Sequence, residues 1–87
     1  MITHVAIRFG GKTWSLPKPN RHHDVIRLIA EETGVKKVDA HGDDQGFLDE
    51  NGTYYRRSQA LVHAFEHDQI KDPKGIRLNM LFSEDVW

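Results

Sequence analysis

The segment that decides the fold is PKPNRHHDVIRLIAEETG, residues 17–34, which joins the clearest predicted helix of the chain to a cluster of basic groups. Four apolar residues in it are spaced to form one stripe on an α-helix: Val25, Ile26, Leu28 and Ile29. Gly34 follows, and glycine readily adopts the left-handed conformation that ends a helix. The segment therefore predicts an amphipathic helix that must pack against another element.

The start of this predicted helix carries an unusual concentration of positive charge. Four basic or titratable residues lie in or just before its first turn: Lys18, Arg21, His22 and His23. The free backbone N–H groups there already project positive charge, so each exposed cation costs about 0.3–1 kcal/mol. Such a cluster suits an anion, because N–H donors and basic side chains converge on it. The alternative interpretation is structural: Asn20 is the N-cap, Asp24 offsets the charge, and the histidines are solvated.

The composition bounds the classes of protein that the sequence can represent. Its 87 residues, 38% hydrophobic and 29% charged, predict one folded domain over residues 1–87. There is no run of apolar residues long enough for a transmembrane helix, and the N-terminus lacks a signal-peptide pattern, so we expect a cytoplasmic protein. The absence of cysteine excludes disulfides and thiolate metal sites. The net charge of −1 argues against broad nucleic-acid binding.

Two hairpins are predicted from turn signals. Gly10-Gly11 separates alternating segments and predicts pairing of Phe9 with Lys12, Ile7 with Trp14 and Val5 with Leu16. Pro17 ends the second of these strands. Asn51-Gly52 marks the other hairpin, in which a two-residue turn pairs Leu48 with Tyr55 and a three-residue loop with a glycine bulge pairs Leu48 with Tyr54. The sequence leaves that register open.

The rest of the chain predicts a second helix, a last strand and a terminal turn. Leu61, Ala64 and Phe65 form an apolar stripe at helical spacing. Residues 76–82 alternate in a way typical of a strand, and residues 35–38 allow a short one. Ser83-Glu84-Asp85 predicts one helical turn that folds Trp87 back onto the body. The fold class is therefore α+β: a small antiparallel β-sheet built from hairpins, with two amphipathic helices packed on one face.

Several polar clusters have both a functional and a structural interpretation. His41, Asp43 and Asp44 resemble metal ligands, but they lack a fixed ligand spacing, so an exposed loop is the favoured interpretation. His63 and His67 lie one helical turn apart, and a solvated face is the favoured interpretation. Arg56 and Arg57 stand near the start of the second helix, where a role in binding and a role in solubility are equally supported.

Several of these motifs resemble a family of small proteins of tailed bacteriophages and prophages. The matching stretches cover nearly the whole chain: Val5-Ala6-Ile7-Arg8, Arg21 to Asp24, Gln45-Gly46-Phe47, Tyr55 with Arg57 and Ala60, Gln69, and Leu81 to Trp87. The resemblance implies an accessory viral protein in the cytoplasm of a bacterial host. It also implies that polar residues from four separate segments converge on one site.

We therefore predict that the protein binds and sequesters a small phosphorylated nucleotide, such as a host immune signal, without turnover and with counter-defence as its purpose. The expected ligand-binding residues are Arg21, His22, His23, Asp24, Gln45, Phe47, Arg56, Arg57, Ser83, Glu84 and Asp85. We expect a homo-oligomer, with no catalytic residue, metal, cofactor or membrane association. Two alternatives stay open. One is a metal- or histidine-dependent phosphoester hydrolase acting on nucleotides, and the other is an inhibitor that binds the surface of a host defence protein through Trp87, Tyr54, Tyr55 and Phe82.

Overall fold

The computed structural model describes all residues, 1–87, and contains a four-stranded antiparallel sheet with two helices packed against it. The strands are β1 (Ile2–Phe9), β2 (Lys12–Pro17), β3 (Gln45–Asp49) and β4 (Tyr54–Arg56), in the spatial order β2-β1-β3-β4. The helices are α1 (His22–Thr33) and α2 (Arg57–Glu66). Short 3₁₀ turns span Gly42–Asp44, Pro73–Gly75 and Ser83–Asp85. The predicted α+β fold class is confirmed.

The first hairpin has the predicted register. Phe9 pairs with Lys12, Ile7 with Trp14 and Val5 with Leu16. Both turn glycines have positive φ, 62° at Gly10 and 75° at Gly11, which is the conformation that a two-residue hairpin turn requires. Local turn chemistry is therefore sufficient to set this half of the sheet.

The second hairpin adopts the three-residue alternative. Leu48 pairs with Tyr54, and Gly52 has a φ of 81°. The buried carboxylate of Asp49 fixes the loop, because it accepts hydrogen bonds from the N–H groups of Asn51 and Thr53 at 2.9 and 3.0 Å. The loop therefore supplies the carboxylate with backbone donors that a tighter turn would not present.

One hydrophobic core joins the sheet and both helices. Phe47 of β3 and Val5 of β1 are fully buried and lie opposite each other in the register. Helix α1 contributes Val25 and Ile29 to the core, as its predicted stripe requires. Helix α2 contributes three residues to the same cluster: Ala60, Leu61 and Ala64. The core therefore lies between one face of the sheet and the two helices.

The two ends of α1 differ in how well the sequence predicts them. Gly34 ends the helix as expected, with a φ of 76° and its N–H bonded to the carbonyl of Ala30. The N-cap position is held by Arg21 and not by Asn20, whose side chain instead donates to the carbonyl oxygen of Pro17. Asp24 accepts the Arg21 N–H at 2.8 Å, so an acidic group within the helix caps its start.

The predicted strand over residues 76–82 is wrong. Leu78 and Asn79 have positive φ angles of 59° and 52°, so the chain makes a tight turn there, closed by a bridge between Arg77 and Met80. Leu78 is 78% exposed whereas Leu81 is fully buried. The Leu81 N–H donates to the carbonyl of Arg57, so this segment packs against the start of α2 and not against a sheet edge.

Residues 35–38 likewise form no strand. Val35 and Val38 are half-buried and pack against the core individually, without a partner strand. The sheet already has β2 and β4 at its edges, and neither pairs with this segment. Apolar residues at these positions therefore reflect packing of a loop and not pairing.

Candidate functional site

The start of α1 is anchored to the C-terminal segment. The guanidinium of Arg21 donates to the hydroxyl of Ser83 at 3.2 Å and to the carbonyl oxygen of Trp87 at 3.1 Å. Ser83 is buried, so its hydroxyl has few alternatives to this partner. Two of the predicted ligand-binding residues are thus in contact, and they bind each other.

His22, the residue after Arg21, is buried and contacts β3. It is 8% exposed, its Nε2 lies 2.8 Å from the carbonyl oxygen of Gly46, and its ring meets Phe47 edge-on at 5.0 Å. Burial lowers the pKa of His22 to about 4; the nearby charge of Arg57 adds to this shift, and the Gly46 bond opposes it. At neutral pH the imidazole is therefore neutral and donates its Nε2 proton to Gly46.

Arg57 is the first residue of α2, and its charge acts on His22. Its guanidinium lies 4.9 Å from the centroid of the Phe82 ring, and its Nε is buried without a hydrogen-bond partner. No carboxylate forms an ion pair with it. Burial lowers the pKa of Arg57, and the nearby Tyr54 opposes that shift. Arg57 is therefore a half-buried cation that this chain leaves uncompensated.

The C-terminal turn is confirmed. Ser83–Asp85 forms a 3₁₀ turn in which the buried Asp85 accepts the Phe82 N–H at 2.8 Å. The indole N–H of Trp87 donates to the carbonyl of Asn20 at 2.9 Å, and its ring meets Phe47 edge-on at 6.2 Å. Trp87 folds back onto the body, as predicted, and covers the start of α1.

These contacts define a junction site, which we name for the meeting of α1, β3, α2 and the C-terminal segment. It contains Arg21, His22, Phe47, Arg57 and Ser83, with Asp24 and Asp85 as caps at its border. The contacts of the other predicted residues lie elsewhere. His23 is exposed beside Asp24, Gln45 donates to the carbonyl of Ala40, Arg56 pairs with Asp43, and Glu84 pairs with Arg77. Part of the predicted set therefore converges, and part does not.

A family model described as "Phage T4 y16D protein" matches the chain over residues 1–87. The chain belongs to this phage protein family. The match confirms the family resemblance inferred from the sequence and makes the protein a phage accessory protein. No curated protein and no solved structure gives a significant match. Neither helix of this family member is long and apolar enough to cross a membrane.

Sequence reasoning missed two places in this family member where arginine side chains lie over aromatic rings. The guanidinium of Arg8 lies 3.8 Å from the centroid of the Tyr54 ring. Arg57 and Arg77 lie 4.9 and 4.8 Å from the centroid of the Phe82 ring. Cations held over ring faces are positioned by electrostatic attraction. The sequence could have indicated the pair of Arg8 and Tyr54, because side chains alternate between the two faces along β1 and β4. This alternation places both residues on the sheet face opposite the core.

Gly46 makes this arrangement of Tyr54 feasible. A Cβ at Gly46 would lie 2.7 Å from atoms of the Tyr54 ring and 2.2 Å from the carbonyl oxygen of Tyr55. The ring therefore lies directly against the strand, and its hydroxyl donates to the carbonyl of Asp43 at 2.7 Å. Gly46 thus holds His22 through its carbonyl oxygen and admits Tyr54 through its missing side chain.

The surface has two open grooves, and neither is lined by Arg21, His22 or Arg57. The first, of about 540 Å³, lies at the tip of the β1–β2 hairpin. The second, of about 510 Å³, lies between β4 and α2, where Tyr55, Val62 and His63 form part of its wall. The junction site is therefore a packed surface with one unpaired cation and not a deep pocket.

The histidine pair on α2 is packed and not simply solvated. The rings of His63 and His67 stack at 4.2 Å, and His63 also lies 4.6 Å from the ring of Tyr55. No group of three or more His, Cys, Asp or Glu side chains is arranged to hold a metal ion. Asp43 and Asp44 belong to a 3₁₀ turn and lie in an exposed loop, as predicted.

Proposed function

We propose that this phage accessory protein binds and sequesters a small phosphorylated nucleotide, with the phosphate held at Arg57. The observation that carries the proposal is the state of the Arg57 guanidinium, which is half-buried, has no acidic partner and has a buried Nε without a hydrogen-bond acceptor. Leaving such a donor unsatisfied costs about 1–3 kcal/mol. An anionic ligand at the guanidinium would supply the countercharge that this chain does not provide.

The position of Arg57 also suits a phosphate. It is the first residue of α2, where backbone N–H groups add partial positive charge. The planar guanidinium matches the oxygens of a phosphate in a bidentate arrangement. The Phe82 ring beside it restricts its orientation, so less side-chain entropy is lost when the ligand binds. Arg57 therefore combines available charge with a fixed geometry.

The hydrolase alternative has less support from the same residues. Of its two candidate general bases, His22 has its Nε2 bonded to Gly46 and a pKa lowered by burial to about 4. The other, His23, is exposed and lies 3.4 Å from the carboxylate of Asp24. Glu84 is paired with Arg77, and Asp85 accepts a backbone N–H as a cap. A general base must reach the proton that it abstracts, and these groups are engaged within the chain. Binding without turnover is the simpler role for this set.

The protein-surface alternative relied on exposed aromatic residues. All four of them, Trp87, Tyr54, Tyr55 and Phe82, are half-buried. The side-chain polar atoms of Trp87, Tyr54 and Tyr55 are also engaged, as in the Tyr55 hydroxyl that donates to Asp49 at 2.9 Å. An interface hot spot needs aromatic area that is free to enter a partner's pocket. The small-ligand proposal has no such requirement.

Isothermal titration calorimetry with AMP, GMP, CMP and ADP-ribose tests the proposal, using Arg57→Gln beside the wild-type protein. Arg27→Gln is the matched control, since Arg27 is an exposed arginine on α1 outside the junction site. We expect at least one probe to bind, and Arg57→Gln to weaken it at least about tenfold while Arg27→Gln does not. The bound probe should be recovered intact after denaturation. Failure of every probe to bind, equal binding by Arg57→Gln, or turnover would reject the proposal.

A further inference from the structure

The hairpin groove, which we define by Arg8, Gly10, Gly11, Lys12, Asp39 and Asp44, does not include Arg57, where the phosphate is proposed to bind. It is open, has a volume of about 540 Å³, and has a single hydrophobic residue, Phe9, in its lining. No atoms lie within 4 Å of the Cβ positions at Gly10 and Gly11, so the backbone of the turn leaves room for a ligand to approach. The groove is large enough for one nucleoside.

Charges of both signs line this groove. Arg8 and Lys12 are cationic, and Asp39 and Asp44 are anionic. Two carboxylates would repel a bare phosphate, so the lining does not suit the phosphate itself. A nucleobase is neutral and carries donors and acceptors side by side on its edges. Mixed charge of this kind is therefore better matched to a base than to an anion.

Three of the four charged groups are available for a ligand. The side chains of Arg8 and Lys12 make no hydrogen bond or ion pair within the chain, and Lys12 only lies 4.2 Å from the centroid of the Trp14 ring. Asp44 likewise has no side-chain partner, whereas Asp39 contacts His41 at 2.6 Å. An acceptor and two donors thus face one groove without competing internal contacts.

Arg8 also provides a surface for stacking. Its guanidinium lies over the Tyr54 ring at 3.8 Å, and that ring is held from behind by Gly46. A guanidinium held in this way can stack against a base on its outer side. Tyr54 further connects the groove to the proposed phosphate site, because its ring contacts Arg8 and its strand, β4 (Tyr54–Arg56), leads directly into α2, which begins at Arg57. A single nucleotide could therefore contact both places.

We propose that the hairpin groove is the base subsite of the nucleotide whose phosphate lies at Arg57, and that it selects bases carrying an exocyclic amino group. The assignment rests on the proposed function. The amino group donates to Asp44, a ring nitrogen or carbonyl oxygen of the base accepts from Lys12, and the base stacks on Arg8. Adenine, cytosine and guanine meet this requirement, and uracil and hypoxanthine do not.

Paired nucleotides and an Asp44→Asn variant test this subsite. AMP and GMP are compared with IMP, and CMP with UMP, by calorimetry. We expect an amino-bearing nucleotide to bind at least about tenfold more tightly than its counterpart, and the ratio to fall below about threefold in Asp44→Asn. Asp43→Asn is the matched control, because it removes the same charge one residue away, outside the groove. It should keep the preference of the wild-type protein.

The outcomes separate this inference from the function on which it rests. If Arg57→Gln weakens binding but the base preference is absent or survives in Asp44→Asn, the base subsite is wrong and the phosphate site stands. Tighter binding by Asp44→Asn, but not by Asp43→Asn, would show that the groove holds a phosphate, which also overturns the subsite. If Arg57→Gln has no effect, the proposed function itself fails.

Discussion

The N-terminal ends of α1 and α2, here called their openings, carry similar positive charge but are stabilised differently. At α1, Arg21 donates to Ser83 and Trp87, so its guanidinium is satisfied within the chain. At α2, Arg57 has an aromatic neighbour, Phe82, but no acceptor. Basic residues at a helix start are therefore not sufficient to identify an anion site. What distinguishes the two is whether remote segments of the chain provide the compensating acceptors.

The largest expected effect concerns His22, the buried histidine between the two openings. Its folded-state pKa of about 4 lies below the ordinary value of 6.5. Between these pH values the unfolded chain binds a proton at His22 and the folded chain does not, so stability falls as the pH falls. The loss attributable to His22 on going from pH 7 to pH 4 should be about 3 kcal/mol. Urea unfolding at several pH values measures it.

The control for His22 is its exposed neighbour. His22→Gln should show a shallower decline in the free energy of unfolding with acid, whereas His23→Gln should decline as steeply as the wild-type protein. His63, whose pKa is also lowered by burial, contributes equally to all three proteins. Equal slopes in the three would mean that His22 is protonated in the folded state, and that the α1 opening is less well packed than described.

A smaller effect is expected from Arg21→Gln. The substitution removes two hydrogen bonds from a charged donor and leaves the buried Ser83 hydroxyl with one partner fewer, so the free energy of unfolding should fall by about 1–3 kcal/mol. Arg27→Gln, with a 3.9 Å ion pair on an exposed face, should change it by less than about 0.5 kcal/mol. Thermal denaturation followed by tryptophan fluorescence compares the two. A stable Arg21→Gln protein that has lost ligand binding would move Arg21 into the binding set.

The elements of the fold differ in how well the sequence predicts them. The hairpins and α1 follow from local signals, because Gly10-Gly11, Asn51-Gly52 and the apolar stripe each act over a few residues. The same alternation of apolar residues misleads over residues 76–82, where Leu81 alone is fully buried and the intervening residues make a turn. Periodicity alone does not distinguish a strand from a turn with one anchoring residue.

The candidate site was less predictable than the fold. The partners of Arg21 and His22 are 62 and 24 residues away in sequence, at Ser83 and Gly46, and no local pattern pairs them. The hairpin groove was missed for a similar reason, since its carboxylates come from a loop beyond α1. Charge at a helix start indicates which residues to examine, and only the tertiary contacts show which of them are free.

Among the junction-site variants, the smallest stability effect is expected for Arg57→Met, which also distinguishes the two openings most sharply. Removing this cation loses a contact with the Phe82 ring but also removes an unpaired charge from a half-buried position, so the free energy of unfolding should stay within about 1 kcal/mol of wild type. Because the charge of Arg57 lowers the pKa of His22, the substitution should raise that pKa, which NMR titration of the imidazole measures. Arg56→Met removes a neighbouring exposed cation paired with Asp43 and should leave the pKa of His22 unchanged. A marked loss of stability in Arg57→Met would show that Arg57, like Arg21, is a structural residue. A stable protein with a raised His22 pKa would show that the chain does not rely on Arg57 for folding.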